Sequence, residues 1–554
     1  MESLKHLLSL FTAGLIIISS CGSPTEEKDE KTDADKCKEK IAQYEFVTLK
    51  ANLEHLSESE LDMLPIFIKA ANVIDEIFWL QSYGEPKETL LSKIEDPYMR
   101  EYAVLNYGPW GRLEGHTAFM EGYDDKPRGA AFYPHDMNRV EFDTWRDTLK
   151  NSPYTLIRRG EMDAPVVKHY ARAYREQLEK ISTYLHEAAS IAEYSAFADY
   201  LRKLAADHFI GDFTVSEKAW MQMKNNNLDL VLRPLDTGED RLFGLKKSYT
   251  AFVLAKDVEW TERLSRYNAM VPDLQRALPV PQEFREQMFG QESEIIAYNA
   301  LYYAGQSNAG PKIIALHLPQ YPAVQKITGT RSMQLKNVTE AKFINILKPI
   351  GKLVIHETQN EHISFDAFFQ LVAFHEIAAG LNIARTIDEN IPVREALREH
   401  HSVIEATATD LMALHLITEL NNKGHITDEE LAEAYITSFA SILRSVRFGT
   451  AGAHGIAAMI RFNFFERENA FSRCNETNTF IVDIDKMKAA IEKGVEKFLT
   501  IQAKGNIEKA EEIIERDAQI PEILAIDIEK INAKNIPVDV AFHQGMEYLK
   551  VKDE

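Results

Sequence analysis

Residues 374–381 read Phe-His-Glu-Ile-Ala-Ala-Gly-Leu, inside a longer apolar stretch whose three- and four-residue spacing is that of a helix. A zinc-peptidase helix of the HExxH type sets two histidines one turn apart, at i and i+4, so that both rings face one metal. The glutamate after the first histidine then polarises the attacking water. His375 and Glu376 stand at the first two of those positions, while the i+4 position holds Ala379, which has no ligand atom. The dipeptide alone carries little weight, since His356-Glu357 repeats it with no companion residues.

The surrounding sequence carries more. In such enzymes the third ligand is commonly a glutamate on a later helix, and residues 394–417 (REALREHHSVIEATATDLMALHLI) supply a long helical pattern about a helix and a turn downstream. Fragments spread along the chain point the same way. They are NYGPWGRLEG (106–115), GAAFYPHDM (129–137), SPYTLIRR (152–159), YYAGQSNAG (302–310), QLKN (334–337), FDAFF (365–369), VREALREH (393–400) and SVRFGTAGAHGIAAMIRFNFF (445–465). In this order they resemble the dipeptidyl-peptidase III family of zinc metallopeptidases. The match is to its shorter bacterial relatives, which carry HExxHGL and a later Glu-Glu-x-x-Ala-Asp segment.

That resemblance implies a mainly α protein with a minor β component, two-lobed, with a cleft between the lobes. It implies that His375 is the first zinc ligand and Glu376 the general base, and that Ala379 stands where the second histidine ligand belongs. On the later helix Glu405 and Ala406 occupy the Glu-Glu positions, so the ligand glutamate is replaced by Ala406. Asp410 falls at the closing acid, which supports the site from behind the ligands, as Glu405 also does. His454 matches a histidine that stabilises the transition state. The segment Leu316-His317-Leu318-Pro319-Gln320 lies where the family has Asn-x-Pro-Asn, whose asparagines hold the peptide backbone; His317 and Gln320 are therefore the expected cleft residues.

Catalytic zinc takes three protein ligands and keeps a fourth position for water. One imidazole binds zinc weakly, and Glu405 is rotated about 100° around the helix from the missing ligand. Without zinc nothing brings a bound water's pKa near 7 or polarises a scissile carbonyl. The sequence has no G-x-S-x-G elbow, and Cys474, in the polar segment RCNETN, has no histidine beside it in sequence. The reading is a degenerate, non-catalytic member that binds a peptide or protein in its cleft, with no cofactor expected. Two alternatives stay open: a zinc peptidase whose ligands come from His400, His401, Glu405 or Asp410, and a structural surface protein whose cleft has no use.

Composition bounds the partners. The 554 residues are 45% hydrophobic and carry a net charge of −22, with 85 acidic against 63 basic side chains. That argues against nucleic acid as a partner, since a nucleic-acid binder needs clustered Lys and Arg to release counterions. Lys5 precedes a short apolar run, residues 7–20, that ends in Ile18-Ser19-Ser20-Cys21. The run is shorter than the roughly 20 residues of a membrane span and has the layout of a signal peptide. Its small-small-Cys ending resembles the lipobox of bacterial lipoproteins, which implies an exported protein held to a membrane only through lipid on Cys21. The polar stretch from 22 to 37 reads as a flexible tether. Cys37 and Cys474 are then the remaining cysteines, free to pair or not.

Periodicity predicts helices over 61–83, 166–204, 341–357, 365–387, 393–421, 428–446, 451–465, 486–499 and 507–517. The Gly-, Pro- and aromatic-rich residues 106–137 read as packed loop. Residues 312–319 (KIIALHLP) are the best strand candidate. A mixed α/β lobe is expected over 38–330, a helical metallopeptidase-like lobe over 331–480, and a helical segment packing on the lobes over 481–554.

Overall fold

A computed structural model of the chain describes residues 32–236, 238–288, 293–447, 449 and 452–549. Cys21, the signal-peptide layout and most of the tether lie outside the described residues. Helix accounts for 56% and strand for 15%, so the chain is mainly α with a minor sheet.

Two large apolar cores divide the molecule. The first is built around a five-stranded sheet, in the order Leu228–Leu235, Ser248–Lys256, Ser293–Gly305, Thr330–Leu335, Ala315–Leu318. Neighbours pair antiparallel except Ser293–Gly305 with Thr330–Leu335, which run parallel. The long helix Glu58–Ser82 and the helices Arg175–Ile191 and Ser195–Ile210 pack on this sheet, burying Phe67, Ile74, Leu185 and Leu201. Ser57 starts the long helix with a capping box to Glu60, which satisfies two of its free amides.

Every residue of Leu228–Leu235 and of Ser248–Lys256 is buried. A strand covered on both faces loses the alternation that marks a half-exposed one. The sheet was therefore legible only at its short edge strand, expected over 312–319 and found at Ala315–Leu318.

The second core is helical: Phe365–Ala379, His401–Asn422, Asp428–Val446, Ala453–Arg467 and Ile484–Lys504 pack around Phe374, Leu411, Phe439, Phe462 and Phe498. The division of the chain differs from that expected. Helix Val258–Arg276, placed by sequence in the first lobe, buries Trp260, Leu264 and Leu274 in the helical core. It leaves the sheet at Asp257, whose carboxylate caps it at Trp260 N (3.0 Å). The sheet lobe in turn extends past residue 330, because Thr330–Leu335 is one of its strands and Val338 lies in its core. Near the C-terminus, Ile513, Leu524 and Ile531 join the helical core, and Asp539–His543 then pairs in parallel with Tyr44–Thr48.

The described end of the expected tether is helical. Asp33–Ile41 is a helix with a capping box between Thr32 and Asp35, and it buries Cys37 in a small third core with Phe78 and Tyr102. One buried residue among nine, in a run of Asp, Lys and Glu, left no periodicity to read. Cys37 and Cys474 are both free thiols. Among the described residues no helix is long and apolar enough to cross a membrane.

Candidate functional site

The helix Phe365–Ala379 begins at Ser364, whose hydroxyl accepts from Ala367 N (3.4 Å), and stops where Gly380 and Leu381 turn the chain away. It was expected to run to 387. Phe368, Phe369, Ala373, Phe374 and Ala378 bury one face in the helical core. The opposite face carries His375, Glu376 and Ala379 towards the sheet lobe, Ala379 being exposed.

Two side chains form a line behind His375. Its Nδ1 lies 2.8 Å from Asp410 Oδ1, and Asp410 Oδ2 lies 2.7 Å from an Arg461 amine. Burial alone would raise the Asp410 carboxyl, but the Arg461 charge and the His375 bond outweigh it and hold the group at about 2. Asp410 is therefore ionised and accepts, so the proton between the two sits on His375 Nδ1. Burial pulls the imidazole pKa down, yet its bond to Asp410 leaves it above the ordinary histidine value. This is the carboxylate–histidine arrangement that orients a metal-binding imidazole and leaves Nε2 for the metal. Sequence reasoning found His375 and Asp410 but missed Arg461; an arginine in the middle of the apolar run 456–465 was the available signal.

Beyond Nε2 the donors stop. Ala379 and Ala406 present only methyl groups, and Ala406 is 8% exposed. Glu405 turns to its own helix neighbour, with His401 Nδ1 at 3.7 Å from its Oε2. His400 sits in the single 3-10 turn Arg398–His400 before that helix. The His454 ring is 6.4 Å from the His375 ring, centroid to centroid, and is exposed. Among the described residues no three His, Cys, Asp or Glu side chains come together to hold a metal ion. The zinc that the family resemblance implies does not fit this donor set.

Facing this helix is the edge strand of the sheet. His317 Nδ1 stands 4.0 Å from Glu376 Oε2. Burial lowers the His317 pKa while the Glu376 charge works against the shift. Gln320 does not reach the cleft as expected. Its amide is bonded both ways to the backbone of Asp236, accepting at 2.8 Å and donating at 3.1 Å. Between the lobes lies a cavity of about 420 Å³, lined by Asn268, His317, Gln325, Glu376, Ala379 and Leu381 among others. Small-molecule sites run from about 300 to 1,000 Å³ and mix apolar walls with a few polar groups, as this one does.

No protein-family model matches the chain. Solved structures do, two dipeptidyl-peptidase III chains among them. Dipeptidyl-peptidase III from Caldithrix abyssi superposes with a TM-score of 0.88 at 28% identity, covering 92% of this chain and 99% of that one. Dipeptidyl-peptidase III from Corallococcus sp. strain EGB superposes with a TM-score of 0.79 at 29% identity, covering 93% and 98%. An Arabidopsis thaliana protein, Nudix hydrolase 3, is 28% identical over 90% of this chain and 73% of its own length. The scaffold is that of a two-lobed metallopeptidase. Within that class the chain is dipeptidyl-peptidase III-like, as its motifs implied.

Proposed function

We propose that this chain is a non-catalytic dipeptidyl-peptidase III-like protein that binds a peptide or an extended protein segment in the cleft between its lobes. The observation that carries the reading is the contrast around His375. Its supports Asp410 and Arg461 are in place at 2.8 and 2.7 Å, while the partner ligand positions are Ala379 and Ala406. Lacking a metal, Glu376 has no acidified water to deprotonate, and no group at the site polarises a peptide carbonyl.

What remains suits binding. Glu376 offers a carboxylate to a peptide amine, Gln325 keeps its side-chain carbonyl while its Nε2 donates to Pro319 O, and Val271, Ile377 and Leu381 line the wall. We place the protein outside the cytoplasm, held to a membrane by lipid on Cys21 alone; mass spectrometry of the mature N-terminus tests that part.

For the cleft, the experiment is incubation with a library of short peptides, following both binding and release of dipeptides, with and without a chelator. Saturable binding without dipeptide release is the expected result. Release that a chelator abolishes would return the chain to the active zinc peptidases. Absence of any binding would leave the scaffold as a surface structure.

A further inference from the structure

A second cavity, of about 500 Å³, opens on the sheet lobe beside the helix Glu58–Ser82, and it shares no lining residue with the cleft. Asp75 stands in it, Trp79 and Leu80 lie one turn along the same helix, and Val104 and Pro86 complete the apolar wall. Asp75 Oδ1 accepts two hydrogen bonds, from the Tyr107 hydroxyl (2.5 Å) and the Gly305 amide (2.6 Å). Oδ2 takes none, and among the described residues no Lys or Arg pairs with the carboxylate. Burial pushes the Asp75 carboxyl up to about 6, despite the two hydrogen bonds and the more distant Lys87 and Lys312. At neutral pH it is mostly ionised and short of a counter-charge.

The other charged residues at the cavity leave its balance negative. Glu76 and Glu88 add negative charge, Lys180 is spent on Glu76 at 3.5 Å, and Lys87 is the single cation among the lining residues. Asn72, Gln177 and Asn308 add polar edges to the apolar wall, and a cavity of this mixed lining that holds an ionised carboxylate selects for a cation carrying some apolar surface, since a buried charge is stabilised mainly by an opposite one.

We propose that this cavity binds a primary ammonium group carried on a small apolar body, with Asp75 as its counter-ion and Trp79, Leu80 and Val104 as its wall. Such a group comes either from a free amine or from the amino terminus of a polypeptide.

Calorimetric titration of the full chain with phenethylamine and with the peptide Phe-Ala-Ala-amide tests the site, each against its N-acetylated form. The amines should bind saturably and their acetylated forms should not. Asp75→Asn keeps an acceptor for Tyr107 and Gly305 but removes the charge, and should weaken binding by about tenfold or more. Val104→Trp fills the cavity without touching the Asp75 hydrogen bonds and should abolish binding; it decides the matter should Asp75→Asn not fold. The tighter of the two amines identifies the source, and either order upholds the site. No saturable binding, or undiminished binding to both variants, overturns it.

Discussion

His317 on the edge strand of the sheet and Glu376 on the helix Phe365–Ala379 face each other from opposite lobes, Nδ1 to Oε2 at 4.0 Å. At that separation they attract only when His317 is protonated, and their side chains are 41% and 22% exposed. A solvated pair of this kind contributes about 0–1 kcal/mol. The lobes are held instead by the chain passing between them at Asp257 and between Val338 and Phe343, and by the return of Asp539–His543 to Tyr44–Thr48. His317→Ala should therefore shift the urea-unfolding free energy by less than about 1 kcal/mol. A loss of several times that would mean the pair is a structural clamp.

Asp410 is different, because it joins two helices and orients His375. Asp410→Asn removes the charge facing Arg461 and weakens the bond to His375, so it should cost about 2–3 kcal/mol at pH 7. The stabilisation belongs to the ionised carboxylate, whose folded pKa of about 2 lies below the ordinary carboxyl value. It is present above about pH 4 and is lost as the pH falls towards 2. Denaturant titrations of wild type and variant at pH 7 and pH 3 check this: the gap should narrow in acid. A gap that stays constant would show that the charge is not what stabilises the site.

Much of this was readable before the fold was. The helices 428–446 and 61–83 follow from apolar spacing and match Asp428–Val446 and Glu58–Ser82 closely. That Asp410 supports the site followed from matching two motifs to a family; its partner, His375, came from the structure. What escaped was whatever burial had made uniform. Two strands buried on both faces read no differently from apolar helix, and Val258–Arg276 gives no local sign of which lobe it joins. Arg461 and Asp75 were missed for the opposite reason: Arg461 is one charge in an apolar run and Asp75 one of the adjacent acids Asp75-Glu76, and such residues pass for surface until their partners are seen.

Asp75 gives a second pH signature, of opposite sign. Its folded pKa, about 6, lies above the ordinary value of 3.8, so between those values the folded chain holds a proton the unfolded chain has released. Stability therefore falls as pH rises from about 4 to 6, by up to about 3 kcal/mol. Comparing wild type with Asp75→Asn across that window cancels the other carboxylates. Wild type should lose stability relative to the variant as pH rises; identical slopes would contradict the raised pKa.

Restoring the absent donors should restore the metal. Ala379 is exposed at the end of its helix and Gly380 follows it, so a histidine there meets open space. In Ala379→His with Ala406→Glu, the new side chains would join a His375 already oriented by Asp410, and zinc affinity should rise by orders of magnitude. Competition with a fluorescent zinc chelator measures it. If the double variant binds zinc no more tightly than the parent, these two positions are not the ligand positions.

The most direct test of the central claim is the zinc content of the parent. Elemental analysis of the full chain, purified without chelator and shown to be folded, should find far less than one zinc per molecule. One zinc per chain, removed by a chelator and recovered on adding the metal back, would mean that other side chains complete the site and that the account of a non-catalytic cleft is wrong.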